Sequence, residues 1–201
     1  MSFEKEIHSE FWFPQQIIIY QDLKFQKIKS KFVDYCKRKQ REDLNGKIKS
    51  NCLGWQSGNI LTKDFVSDYL QESTNQSISS QFNIKSGTNF RIDNFWINIS
   101  PKFASNDYHV HHGSHYSGCL YIQCDEKNSG SIKINPNINF NTDWMDFLVD
   151  DYKNTYHIHP AVEFKPKEGM MLFFPSYLAH KVNNNLSSKE RISIAFNISF
   201  L

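Results

Sequence analysis

Little in this chain points away from an ordinary globular protein. Its four cysteines, Cys36, Cys52, Cys119 and Cys124, form no Cys-x-x-Cys pair. That excludes a dithiol motif, and a reduced, cytoplasmic chain is the simplest expectation. No apolar run is long enough to span a bilayer, and the first residues lack the charged-then-apolar order of an export signal, so no membrane partner is expected. Neither sign of charge dominates: 23 Lys and Arg stand against 21 Asp and Glu, a formal net charge of +2. This leaves no electrostatic case for a nucleic-acid partner. The one basic run, Lys37-Arg38-Lys39-Gln40-Arg41, reads as the solvated end of a helix. Ala and Arg are scarce beside Asn, Lys and Ile, a bias of AT-rich coding that says nothing about activity.

What is present suits a real core. The chain has 201 residues, 39% hydrophobic and 15% aromatic, with 17 Phe. One domain is expected over 1–201, with 1–89 as N-terminal support and 90–201 as a β core. The β-branched run after Pro14 predicts an early strand. Asp22 is placed to cap a helix to about Arg41, with Phe25, Ile28, Phe32 and Tyr35 as its apolar stripe. Residues 44–60 read as a loop in which Trp55 is a packing anchor or, less readily, a wall of the substrate cleft. A second helix is expected from about Thr62, with Phe65, Val66, Tyr69 and Leu70 facing inward, and Ser73–Ser80 as its breaking point.

From Phe90 the period becomes two. Strands are expected at 95–100, 116–124, 131–135, 170–174 and 191–200. Residues 140–155 read as a short helix or lid, capped by Thr142 and anchored by Trp144, Phe147 and Leu148. Helices first and antiparallel strands after predict a mainly β fold, an antiparallel β domain with the helices packed on one face.

Four of the eight histidines fall within Asp107-Tyr108-His109-Val110-His111-His112-Gly113-Ser114-His115. On a strand, His109 and His111 share a face, and their spacing lets both imidazoles reach one metal ion. His180 follows a buried apolar run and a Pro-Ser turn, at the start of a new strand, and is favoured as third ligand. Asp107, of the same parity as His109, and His115 are held in reserve. His112 is assigned to the surface, and His157-Ile158-His159 lacks a comparable downstream context.

Arg191 defines the kind of site. Arg191, Ser193, Ala195 and Asn197 share one face of the last strand; Ile192, Ile194, Phe196 and Ile198 share the other. The Ile/Phe face belongs against the helices, which turns the guanidinium inward. An inward guanidinium needs an anion, and its planar fork fits a carboxylate. The anion is either a ligand or a buried Asp or Glu.

These residues carry a resemblance. His109-Val110-His111-His112-Gly113-Ser114-His115-Tyr116-Ser117-Gly118-Cys119-Leu120-Tyr121, Phe174-Pro175-Ser176-Tyr177-Leu178-Ala179-His180-Lys181-Val182 and Arg191-Ile192-Ser193-Ile194-Ala195-Phe196-Asn197 resemble the Fe(II)/2-oxoglutarate-dependent oxygenases. They are closest to a bacterial and phage-borne group of that superfamily, and the likeness covers most of the chain from about residue 50. It implies a double-stranded β-helix, a jelly-roll or cupin-like barrel with the helices packed on its major sheet, in which Fe(II) is held at the mouth by His109 and His180, and 2-oxoglutarate is bound through its C5 carboxylate by Arg191 with Ser193. Tyr121 and Asn98 are expected as further contacts to that cosubstrate. His111 stands where the superfamily has Asp or Glu, so the site is one unit more positive than its relatives'. The implied reaction is hydroxylation by O2 of a small-molecule or peptidyl substrate, releasing succinate and CO2, in the cytoplasm, or the host cytoplasm for a viral chain. No catalytic side chain beyond the metal site is singled out, and a homo-oligomer is left open. Two alternatives use the same fold. One is a three-His cupin-type metalloenzyme without 2-oxoglutarate, because Gly169-(x5)-Pro175-(x4)-His180-(x3)-Asn184 resembles a cupin motif. The other is a non-catalytic binding module.

Overall fold

The computed structural model describes residues 15–82, 84–135 and 143–201. Its strands, in chain order, are β1 (Ile18–Gln21), β2 (Asn51–Cys52), β3 (Trp55–Gln56), β4 (Phe90–Ser100), β5 (Ser105–His109), β6 (Tyr116–Gln123), β7 (Ile132–Asn135), β8 (Val162–Phe164), β9 (Met170–Pro175), β10 (Ala179–Val182) and β11 (Arg191–Phe200). The helices are α1 (Lys29–Glu42), α2 (Phe65–Gln81) and α3 (Asp150–Tyr156). The strands form two antiparallel sheets, ordered β1-β9-β6-β11-β4-β3 and β2-β5-β10-β7-β8. They lie face to face as a jelly roll without closing into a barrel. β1, β2 and β3, from the first third of the chain, are strands of these sheets.

The alternation of β11 separates the molecule into two cores. Ile192, Ile194, Phe196 and Ile198 pack with Phe25, Phe32, Tyr35, Val66, Leu70 and Ile78 of the helical layer. The opposite side of the major sheet supplies Tyr121, Leu172 and Phe174, which meet Ile132 and Ile134 of the minor sheet and Leu178 of the turn before β10. A fully buried Phe or Ile contributes roughly 1.5–3 kcal/mol, so the helices are held by this one apolar face.

The helices depart from expectation in instructive ways. Asp22 caps a preliminary turn by accepting from the Lys24 amide (2.7 Å), and α1 begins only at Lys29 after a 3-10 turn at Phe25–Lys27. The second Asp22 oxygen accepts from the Tyr69 hydroxyl (2.9 Å), tying this turn to α2. α2 starts on a capping box between Asp64 and Ser67, and the Tyr35 hydroxyl donates to the same aspartate. It is not broken at Ser73–Ser80. Ser73, Thr74 and Ser77 are buried beside Ile78, and these small side chains let the helix lie close on the sheet. Packing overrides weak helix propensity there. The expected loop at 44–60 contains β2 and β3, short because only two residues of each meet a partner strand. Trp55 is the anchor: its indole N–H donates to the Asp43 carbonyl (2.8 Å), and it packs on the helical core.

The segment between β7 and β8 does form short helices, a 3-10 turn at Asp143–Phe147 and then α3. Phe147 does not anchor it, being 89% exposed. Thr142 and the side chain of Trp144 lie outside the described residues.

Candidate metal and cosubstrate site

β5 and β10 are neighbours in the minor sheet, and their register sets His180 directly opposite His109. His109 is the last residue of β5. His111 lies beyond the strand, where its amide donates to the Ser176 carbonyl (2.9 Å) at the end of β9. The two imidazoles therefore converge through a strand end and a turn, and not through two positions of one strand as expected. The nearest ring nitrogens of His109, His111 and His180 all lie within 4.8 Å of one another.

The tautomers suit a cation. His109 Nδ1 lies 2.7 Å from the Asp107 carbonyl and His180 Nδ1 lies 2.9 Å from the Leu178 carbonyl. Each Nδ1–H is a donor, which leaves each Nε2 lone pair free. His111 Nε2 is 3.2 Å from His180 Nε2. Two nitrogens bound at right angles, each about 2.1 Å from one ion, stand about 3.0 Å apart. The His111 ring is held from the side by Trp96, their centroids 5.4 Å apart. Phe174 meets His180 edge-on at 4.7 Å.

Burial and the neighbouring imidazoles push His111 down to about 3. Burial and His109 push His180 down to about 4, and burial lowers His109 as well. All three are therefore neutral, the form that can bind a metal, at neutral pH. The folded apo protein resists protons that the unfolded chain takes up near 6.5, so these groups favour folding above about pH 6.5 and oppose it as pH falls toward about 4. The urea midpoint of metal-free protein is expected to be level above that range and to decline through it. The decline should be shallower in His111→Gln.

Neither reserve ligand joins the cluster. The Asp107 carboxylate accepts from the Cys52 thiol (3.4 Å). His115 Nδ1 accepts from the Phe200 amide (3.1 Å), pinning the loop to β11. His112, His157 and His159 are exposed.

A cavity of about 640 Å³ opens between the sheets, lined by the three histidines and by Arg191, Ser193, Tyr121 and Asn98. The last three form one row: Ser193 pairs with Asn98 on β4 and with Tyr121 on β6. Arg191 is 2% exposed. Its Nη1 donates to the carbonyls of Ser129 and Asn183, the latter at 3.0 Å. Among the described residues no carboxylate pairs with it, and Nε and Nη2 have no hydrogen-bond partner. Burial lowers its pKa. Asn98 Oδ1 is likewise buried without a partner, and the Tyr121 hydroxyl has only the weakly accepting Cys119 thiol beside it. Burial raises Tyr121 well above the ordinary phenol value, so it keeps its proton as a donor. An uncompensated buried guanidinium beside a weakly partnered hydroxyl is costly unless an anionic ligand answers both.

Gly130 permits this arrangement. It has φ +76°, and a Cβ there would collide with the carbonyl oxygens of Asn183 and Asn184. Gly130→Ala therefore combines left-handed strain with displacement of carbonyls on either side of Arg191. A loss of about 2–4 kcal/mol in urea unfolding is expected.

Sequence reasoning missed the support beneath the histidines. Ser117 Oγ meets Ser176 Oγ at 2.8 Å and Asn197 Oδ1 at 2.9 Å, and Asn197 Nδ2 donates to Asn94 Oδ1 (3.1 Å). This chain ties β6, β9, β11 and β4 together under the turn that carries His111. The inward parity of Asn197 was its only sequence signal.

Three converging neutral imidazoles on a jelly roll define, as a class, a candidate mononuclear metal protein. Residues 94–197 match the family model described as "Putative 2OG-Fe(II) oxygenase", and the chain belongs to that family, whose cofactors are Fe(II) and 2-oxoglutarate. Among solved structures it is similar to HygX from Streptomyces hygroscopicus, with nickel, 2-oxoglutarate and hygromycin B bound (TM-score 0.62, 10% identity, covering 92% of this chain and 83% of that one). It is also similar to a Trichoplax adhaerens prolyl hydroxylase in complex with a hypoxia inducible factor peptide fragment (0.59, 11%, 91% and 83%). A third is the viral collagen prolyl hydroxylase of Paramecium Bursaria Chlorella virus-1, with 2-oxoglutarate (0.54, 15%, 90% and 95%). At these identities the structures speak for the fold. A comparison with curated proteins found no match. Among the described residues no helix is long and apolar enough to cross a membrane.

Proposed function

We propose that this protein is an Fe(II)- and 2-oxoglutarate-dependent oxygenase that hydroxylates a small-molecule or peptidyl substrate. The observation that carries this is the pairing, in one cavity, of three converging imidazoles, two of them held with Nδ1 protonated and Nε2 turned to the cluster, and a buried Arg191 that lacks a carboxylate partner among the described residues. His109, His111 and His180 hold the metal. Arg191 binds the C5 carboxylate of 2-oxoglutarate through Nε and Nη2, with the hydroxyls of Ser193 and Tyr121 and the amide of Asn98 beside it. When bound, the cofactor pair supplies oxidation of a C–H bond to C–OH by O2, with 2-oxoglutarate leaving as succinate and CO2.

The protein's part is to orient and to exclude water. The carbonyls of Asp107 and Leu178 fix the tautomers of His109 and His180. Trp96 and the Ser176 carbonyl fix the ring and backbone of His111. Ile132, Phe174 and Val182 supply apolar wall near the imidazoles. With three neutral ligands the site has no protein anion of its own, so the dianionic cosubstrate balances the ion's charge. A three-His enzyme without 2-oxoglutarate would have no use for the Nε and Nη2 donors of Arg191, which the carbonyls of Ser129 and Asn183 leave unused.

Anaerobic titration of Fe(II) and 2-oxoglutarate into apo protein tests the proposal. A visible charge-transfer band that appears only with both is the expected result. Metal binding without the band would overturn the cosubstrate assignment. No metal binding would overturn the whole site.

A further inference from the structure

The cavity is far larger than a five-carbon diacid requires, and its wall carries one more polar side chain without a protein partner. Gln56, on β3, is 9% exposed and lines the cavity, and its carboxamide has no hydrogen-bond partner among the described residues. Backbone register sets it beside Asn98, with Asn94, Trp96 and Asn98 following on the same face of β4. Trp96 is thus the diagonal neighbour of Gln56, within reach of an aromatic ring.

A carboxamide presents an acceptor oxygen and two donor hydrogens, and those of Gln56 meet the cavity and no protein group among the described residues, so a ligand there can answer them directly. A carboxylate ligand would face Gln56 Oε1 with a second acceptor. An ammonium would leave Nε2 without one. The group that satisfies both ends offers a donor and an acceptor side by side, in cis. A trans peptide bond points its N–H and C=O in opposite directions and cannot do this. A lactam ring or a primary carboxamide can. Trp96 adds a flat wall suited to a planar ligand.

From this we infer that the substrate pocket recognises a neutral, planar lactam or primary carboxamide through a cyclic pair of hydrogen bonds with Gln56, against Trp96. This rests on the proposed oxygenase site, since it places the substrate beside that cosubstrate. A ligand so held needs no ionic partner.

The test is calorimetric binding to the full chain under anaerobic conditions, with Mn(II), in the presence and absence of 2-oxoglutarate. The probes are uracil for a lactam, nicotinamide for a primary carboxamide, and 1,3-dimethyluracil, which has the uracil ring without its N–H donors. Uracil or nicotinamide is expected to bind, and whichever does names the source of the amide. Dimethyluracil should bind at least about tenfold more weakly than uracil, in keeping with one lost buried hydrogen bond. Gln56→Met, near in shape, should weaken the binding probe by a similar factor while 2-oxoglutarate affinity changes less than about twofold. Binding of neither probe overturns the inference, as does a Gln56→Met variant that weakens only 2-oxoglutarate. The oxygenase proposal fails separately, through loss of metal or 2-oxoglutarate binding in the wild type, and probe binding without 2-oxoglutarate still decides the role of Gln56.

Discussion

His180→Ala is expected to lose divalent-metal affinity by well over about 100-fold, because removing an outer partner of a metal ligand already costs about 10–100-fold. His180 is 3% exposed, faces His109 across the sheet, and stands 3.2 Å from His111 through Nε2. The variant leaves two imidazoles from one segment and nothing from the other strand. Mn(II) titration followed by electron paramagnetic resonance measures the change. His112→Ala, from the same histidine-rich stretch but exposed, should bind as the wild type does. Equal affinity in wild type and His180→Ala would show that the cluster does not hold the ion.

The second large effect is expected at Arg191. Arg191→Met keeps much of the aliphatic stem and removes the charge. Hydrogen bonds to a charged group contribute roughly 1.5–3 kcal/mol each, so a bidentate carboxylate contact predicts a loss of about 100-fold or more in 2-oxoglutarate affinity. Metal affinity should be unchanged, since no metal-cluster residue touches Arg191. The fold should also weaken: Met leaves the Ser129 and Asn183 carbonyls unanswered, at roughly 1–3 kcal/mol for each buried group. Arg191→Lys should recover part of the affinity, because it restores the charge without the fork. Calorimetry with 2-oxoglutarate and a parallel urea melt separate the two effects. Lower stability with unaltered 2-oxoglutarate affinity would make Arg191 a structural residue only.

Much of this was legible in the chain itself, for a definite reason. A strand alternates its side chains, so Arg191, Ser193 and Asn197 could be assigned to the inside once Ile192, Ile194, Phe196 and Ile198 had to face the helices. The histidine pair and the Phe174–His180 segment announced themselves by residue type and by resemblance. Errors arose where a local pattern was asked a tertiary question. Phe147 looked like an anchor because it is apolar, yet it sits on an excursion between β7 and β8 with no core to enter. Ser73–Ser80 looked like a break because its intrinsic preference is weak, yet a buried face holds the helix through it. β2 and β3 went unseen because a two-residue strand has no period.

The sequence by itself determined the order of helices and strands, the inward face of β11 and the candidate ligands, since periodicity and side-chain chemistry are local. Only the tertiary structure decided that His109 and His111 meet His180 while Asp107 and His115 do not, that Arg191 rests on carbonyls and lacks a carboxylate among the described residues, and that Gln56 lines the cavity without a protein partner. Each depends on strand register and on which groups burial leaves unanswered. Those are set by contacts between residues far apart in the chain, which no local pattern encodes.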